Sequence, residues 1–239
     1  PTPSGRSLKL TRSIKIRCRT LPTSCCVLRR PRRFDRFGRC RQRSEGTIGV
    51  SAHWQFLDSR QVADHRIFRI RYDRYRLQPE GLERDFVVLD APDWVNIVPL
   101  TADGQVVLIR QFRHGIRCDT LEIPGGMVDR GETPQQAALR ELREETGYLP
   151  ERVRLLGPIN PNPAIQGNWC YMFLAEDCRL VEQPRPEEFE RIEVVLCPLA
   201  DVPQMIRREQ IVNAMVINSF AFMGVVCAGA GTPGADRRC

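Results

Sequence analysis

Between His53 and Phe112, apolar and polar residues change places in short runs. Trp54-Gln55-Phe56 and Ile67 to Tyr72 alternate with the period of two that a half-buried strand requires, and Phe86 to Leu89 is a third strand-like run. Pro92 turns the chain between Asp90 and Asp93. Trp94 to Leu100 and Gln105 to Phe112 predict two strands joined through Asp103-Gly104, a pair that accepts the backbone of a tight hairpin. Leu121 and Ile123 lead into Pro124-Gly125-Gly126, where the backbone is free to turn sharply or to approach a ligand closely. From Thr133 the period lengthens to that of a helix. Thr133 suits the N-cap, Pro134 the first helical position, Gln136 the partner place in a capping box, and Gly147 the C-terminus. Then come Val153 to Leu156, the turn residues Asn160-Pro161-Asn162-Pro163, and a strand over Trp169 to Ala175. A polar loop from Glu182 to Glu190 precedes a strand at Ile192 to Leu196. Pro203 opens a last amphipathic helix, predicted to bury Ile206, Ile211, Met215 and Phe222.

Residues 1–50 follow none of these patterns. They hold 14 Lys or Arg against Asp35 and Glu45, a balance of +12, so the chain's net +7 leaves the remainder at −5. Arginine mixed with Ser, Thr, Cys and Pro, and little to build a core, predicts a disordered basic extension over 1–51. Three roles stay open for it. It has the Arg-rich, acid-poor composition of a transit peptide; it would serve as a basic arm for nucleic acid or an anionic surface; or it is upstream sequence with no selected role, with which an opening at Pro1 rather than Met agrees. Residues 229–239 predict a loose tail.

The ten cysteines and three histidines show neither CxxC nor Cys/His ligand spacing. Scattered reduced thiols in a cytoplasmic protein are therefore the expectation, rather than a disulfide framework or structural zinc. The run nearest to a membrane span, Val212 to Cys227, is interrupted by Asn213, Asn218 and Ser219, and reads as a buried C-terminal helix.

Chemistry concentrates on the capped helix. Glu141, Glu144 and Glu145 stand at i, i+3 and i+4, so one face carries three carboxylates while Ala138 and Leu142 face a core. Like charges at i,i+4 destabilise an isolated helix by about 0.2–0.5 kcal/mol per pair. A cation completing the site would offset that repulsion, and three hard oxygen ligands suit Mg2+ or Mn2+ better than zinc. The plain alternative is a solvated helix with Arg140 and Glu144 as a surface pair.

Spacing decides between the two. From Gly126 the pattern runs Gly, five residues, Glu132, seven residues, Arg140-Glu141-Leu142, one residue, Glu144-Glu145, one residue, Gly147. Its seven glycine and charged positions alone match by chance at roughly 10⁻⁸ per start point. The pattern resembles the signature box of the Nudix hydrolases, with Tyr148 as a soft departure where the family prefers a bulky aliphatic residue.

The resemblance implies an α/β/α sandwich over 52–228, a mixed sheet between helices with the box as a central strand-loop-helix. It implies Mg2+ or Mn2+ held by Glu141, Glu144, Glu145 and the Gly125 carbonyl, with Arg140 orienting those carboxylates and Glu132 anchoring the loop. A glutamate of the Glu182 to Glu190 loop would activate water, either Glu188 or Glu190. Arg110 to Arg113, taken alone, reads equally as the wet end of an edge strand; Arg113 aligns with a substrate-contacting arginine of related hydrolases, which would make Arg110 and Arg113 diphosphate contacts. Pro163, sixteen residues past Gly147, resembles the ADP-ribose pyrophosphatase branch. The implied reaction is Mg2+-dependent hydrolysis of a nucleoside diphosphate linked to a second moiety, foremost ADP-ribose to AMP and ribose 5-phosphate. The implied enzyme is a homodimer whose residues 53–90 help to hold the adenosine end.

Two alternatives remain. One is a sibling enzyme for a nucleotide sugar, dinucleotide or damaged nucleoside triphosphate. The other is a non-catalytic nucleotide sensor, joined to nucleic acid through the basic arm. Intact carboxylates, and no DNA-binding helix pair after residue 228, weigh against the sensor.

Overall fold

The computed structural model describes residues 53–186 and 188–225. The expectations placed on residues 1–51 and on the tail from 229 lie outside them. Three strands, β1 (Trp54–Asp64), β2 (Arg69–Leu77) and β3 (Leu82–Asp90), form an antiparallel sheet of their own. All three run longer than their apolar alternation suggests. The extra length is polar and paired across strands: Arg74 meets Asp85 at 2.9 Å and Arg76 meets Glu83 at 2.6 Å.

A second sheet holds the core. β4 (Trp94–Thr101) and β5 (Gln105–Arg113) make the predicted hairpin, with Gly104 at φ 80°. β6 (Cys118–Glu122) pairs with β5, β7 (Gly125–Met127) with β4, and β11 (Ile192–Pro198) with β5. β8 (Tyr148–Leu149) and β9 (Arg152–Ile159) both pair with β10 (Cys170–Leu180). The spine runs β11-β5-β4-β10-β8, and β10 lies parallel to β4 while the other pairings are antiparallel, so the sheet is mixed.

Strand alternation sends side chains to two cores. Val95 and Ile97 of β4, Val107 of β5, and Tyr171 and Phe173 of β10 join Ala137, Ala138 and Leu142 of helix α1 (Pro134–Thr146). Val98, Val106, Leu108 and Leu174 meet Val202 of α2 (Val202–Arg207), and Val216 and Phe220 of α3 (Ala214–Phe222), on the other face. This is the expected α/β/α layering.

The single C-terminal helix expected from Pro203 is in fact two. α2 gives out at Arg208, and Glu209 takes φ 59°, a left-handed conformation that does not propagate a right-handed helix. Asn213 then starts α3 as its N-cap, accepting from Met215 N at 2.9 Å. The restart turns the apolar face. Ile211 is buried as expected and Ile206 and Met215 are half-buried, but Phe222 is 49% exposed and Val216 and Phe220 take the core places. Among the described residues no helix is long and apolar enough to cross a membrane.

Candidate active site

Local chemistry holds α1 at both ends. Thr133 Oγ1 accepts from Gln136 N at 3.3 Å and Gln136 Oε1 accepts from Thr133 N at 2.9 Å, closing a capping box. Gly147 ends the helix at φ 75° and donates to the Arg143 carbonyl at 2.8 Å. A side chain there would also run into the Glu182 carbonyl.

The helix sets Glu145 in the same stripe as Ala138 and Leu142, so a carboxylate is buried where a hydrophobe belongs, at 3% exposure. Gly125 N donates to Glu145 Oε2 at 3.0 Å. Glu141 lies so close to Gly126 that a Cβ on that glycine would enter its carboxylate. Burial pushes Glu141 up to about 7 against the pull of Arg140, with the charges of Glu144 and Glu190 adding to the rise. Burial, then the charge of Glu141, carries Glu145 well above the ordinary carboxylate range.

Arg140 gathers the surrounding acids. Its Nη1 donates to Glu141 Oε1 at 2.8 Å and Glu144 Oε2 at 3.2 Å, and its Nε and Nη2 bond the two Glu132 oxygens at 3.1 Å each. Nη2 also reaches the Met127 carbonyl at 3.1 Å, and Glu132 Oε2 accepts from Asp129 N at 3.2 Å. Glu132 thus ties the loop before the helix to the helix itself.

The Glu182 to Glu190 loop is strapped over the C-terminal end of α1. Val181 N donates to the Gly147 carbonyl at 2.9 Å, Arg185 N to the Glu144 carbonyl at 2.7 Å, and Arg143 pairs with Glu182. Beyond the strap, half-buried Glu190 comes near enough for its charge to be felt at Glu141, Glu145 and Arg113. Glu188 stands on the exposed turn two residues earlier.

A cavity of about 750 Å³ opens beside Gly125 and Gly126, between Trp94, Asn96 and Met127 on one side and Arg113, Glu122 and Asn213 on the other. Arg113 bonds Glu122 through both Nε and Nη2, at 2.9 and 2.6 Å. Arg110 pairs instead with Glu193 on β11 at 3.1 Å and is outside the cavity lining. Pro163 is exposed and lines neither this cavity nor a second, apolar one of about 410 Å³. Its loop touches the smaller cavity through Gln166, where the Ile165 carbonyl accepts from Leu89 N at 2.7 Å. Trp94 and Met127 line both cavities.

With this geometry agree the comparisons with known proteins. The model of the NUDIX domain matches residues 92–216, from the turn before β4 to the start of α3. The chain belongs to the NUDIX family. It is 27% identical over 172 residues to the ADP-ribose pyrophosphatase of Bacillus subtilis (strain 168), covering 70% of this chain and 93% of that one. The ADP-ribose pyrophosphatase of Mycobacterium tuberculosis (strain ATCC 25618 / H37Rv) is 27% identical over 182 residues, 75% of this chain and 87% of its own. The fold is shared with a crystal structure of ADP compounds hydrolase, at TM-score 0.65 and 24% identity, over 75% of this chain and 96% of that one.

The NUDIX box brings Gly126, Glu132, Arg140, Glu141, Glu144, Glu145 and Gly147 into one neighbourhood. Among the described residues no three His, Cys, Asp or Glu side chains stand as a ready-made metal cage, and Arg140 draws Glu141 and Glu144 to itself. The donor set nonetheless fits a hard divalent cation. It is oxygen-only, and buried Glu145 and half-buried Glu141 both have raised pKa, which marks negative charge the protein leaves short of compensation. Asn96, Thr120, Glu122 and Asn213 of the NUDIX cavity wall escape a reading of the sequence. Glu122 falls between Leu121 and Ile123, where alternation assigns a polar side chain to water, and Asn213 reads as a break in an apolar run. The available signal was Thr120 on the same strand face as Glu122, with Arg113 on the matching face of β5, in register with Cys118.

Proposed function

We propose that this NUDIX protein hydrolyses the diphosphate bond of a nucleoside diphosphate linked to a second moiety, with ADP-ribose as substrate and AMP and ribose 5-phosphate as products. The observation that carries the reading is buried Glu145 and half-buried Glu141 set against the Gly125–Gly126 turn, and that turn lines a cavity that Arg113 also lines. The named relatives supply the substrate class.

Glu141, Glu144, Glu145 and the Gly125 carbonyl would hold Mg2+ or Mn2+. When bound, the ion neutralises diphosphate charge and makes a coordinated water more acidic. Arg140 keeps the helix carboxylates from rotating away, and Glu132 fixes the loop that follows β7 and its Gly125. Arg113 meets the phosphates, whose charge would otherwise repel a nucleophile. Glu190, rather than Glu188, takes the proton from the attacking water at its carboxylate, since its charge is the one felt at the box. The exposed Trp54, Phe56 and Phe86 of the β1–β3 sheet, gathered edge-to-face around Tyr75, make a surface suited to a second copy of the chain, as a homodimer. Sedimentation at micromolar concentration tests that assembly, and a monomer would refute it.

The deciding experiment compares ADP-ribose, GDP-mannose and an oxidised dNTP with Mg2+ and identifies the products. ADP-ribose should be preferred, because a site for two phosphates strands the extra charge of a triphosphate without partners. A rival cleaved about tenfold more efficiently, or about 1.4 kcal/mol in transition-state binding, would overturn the substrate and leave the carboxylate chemistry in place.

A further inference from the structure

Glu122 lies on the cavity wall at 3% exposure, and each of its oxygens accepts two hydrogen bonds. Oε1 takes Arg113 Nε at 2.9 Å and Thr120 Oγ1 at 2.6 Å; Oε2 takes Arg113 Nη2 at 2.6 Å and Asn213 Nδ2 at 2.9 Å. An ionised carboxylate offers about four lone-pair sites, so the set is full. The donors arrive from β5, from β6 and from the N-cap of α3. The pairing uses the Nε–Nη2 edge of the guanidinium and leaves Nη1 outside it. Arg113 also feels the charges of Glu145 and Glu190. The clamp is therefore part of the cavity wall and lies within electrostatic reach of the carboxylate cluster.

Glu122 is buried but the Arg113 side chain is 44% exposed, and an ion pair open to water on one side is a poor device for stability alone. What four donors around one carboxylate do achieve is a fixed arginine. A long unheld side chain loses rotamer freedom when a ligand immobilises it, and one already immobilised does not.

We propose that Glu122 is a positioning residue: with Thr120 and Asn213 it locks the Arg113 guanidinium in the orientation that receives a phosphate of a diphosphate ligand in the adjoining cavity. This rests on the reading of Arg113 as a diphosphate contact. It also makes Asn213, at the start of the last helix, part of the phosphate-binding apparatus.

The test uses the full chain and α,β-methylene-ADP, a diphosphate whose bridge resists hydrolysis, with affinity measured by calorimetry in Mg2+. Glu122→Gln should weaken binding about tenfold and Arg113→Ala at least as much, while the double variant binds within about twofold of Arg113→Ala alone. Asn213→Ser keeps an N-cap for α3 and removes the amide donor; it should cost about two- to fivefold in the wild-type background and nothing beside Arg113→Ala. This variant decides the matter if Glu122→Gln does not fold. A merely structural carboxylate would give losses that multiply with Arg113→Ala, and that result overturns the proposal, as does wild-type affinity in both Glu122→Gln and Asn213→Ser. A wild type that binds the analogue yet leaves ADP-ribose uncut removes the substrate assignment and leaves the positioning result standing. A wild type that fails to bind the analogue overturns both.

Discussion

Replacing Glu145 by glutamine removes a charge that burial already disfavours, and the same exchange at Glu144 removes one from the wetter side of the helix. Both should leave the fold intact and cut Mg2+-dependent turnover by several powers of ten, because on the proposed reading each takes away a metal ligand rather than a packing contact. Melting curves with and without Mg2+ give a second reading: the ion should raise the wild-type melting temperature and fail to raise that of Glu145→Gln. Near-normal turnover in either variant would remove the carboxylate site. Glu122 makes a prediction of the opposite sign. Burial by itself would raise its pKa, but the hydrogen bonds from Arg113 and Thr120 prevail and hold it below the usual range. A depressed folded pKa contributes stability that is present above the unfolded value and lost as pH falls through the folded one. Between about pH 5 and pH 3 the wild-type melting temperature should therefore fall more steeply than that of Glu122→Gln. Parallel curves would contradict the assignment.

At the scale of elements, α1 depends on its two ends. Thr133→Ala opens the capping box and should cost about 1 kcal/mol in urea denaturation. Gly147→Ala should cost more, because alanine is strained at that φ and its methyl meets the Glu182 carbonyl. If the two variants lose equal stability, the contact over Gly147 is not as close as described. Helix α1 was legible in the sequence because caps are local chemistry: Thr133, Pro134, Gln136 and Gly147 act within one turn of where they stand. The C-terminal helix was legible only in part. No glycine or proline announces the break at Glu209, whose left-handed backbone turns Gln210 N back onto the Met205 carbonyl at 2.9 Å. The box carboxylates could be placed from spacing alone. The clamp on Arg113 could not, because Glu122 and Asn213 are 91 residues apart and no local pattern reports a contact of that span. Pro163 shows the same limit, for a spacing rule locates its loop but not the side of the loop that meets a cavity.

For the whole molecule, charge asymmetry makes a separate prediction. A chain beginning at Ser51 should melt and turn over as the full chain does, yet lose most of its retention on heparin, because the +12 of residues 1–50 is gone and the remainder is net acidic. Loss of activity on that truncation would give the segment a structural part.

The parallel pairing of β4 with β10 has a consequence in time. Asp93 and Trp169, which bond at the mouth of that pairing, are separated by 76 residues. At about 5–20 residues per second, roughly 4 to 15 seconds of synthesis fall between them. Throughout that interval Val95, Ile97 and Val98 lie along a strand edge with no partner, and α1 is able to cover only one face of it. An unpaired apolar edge is what joins one nascent chain to another. Ribosome-bound chains halted near residue 160 should accordingly be protease-sensitive and prone to associate, and chains halted near 225 should be neither; equal behaviour at the two lengths would mean that β4 finds shelter before β10 exists.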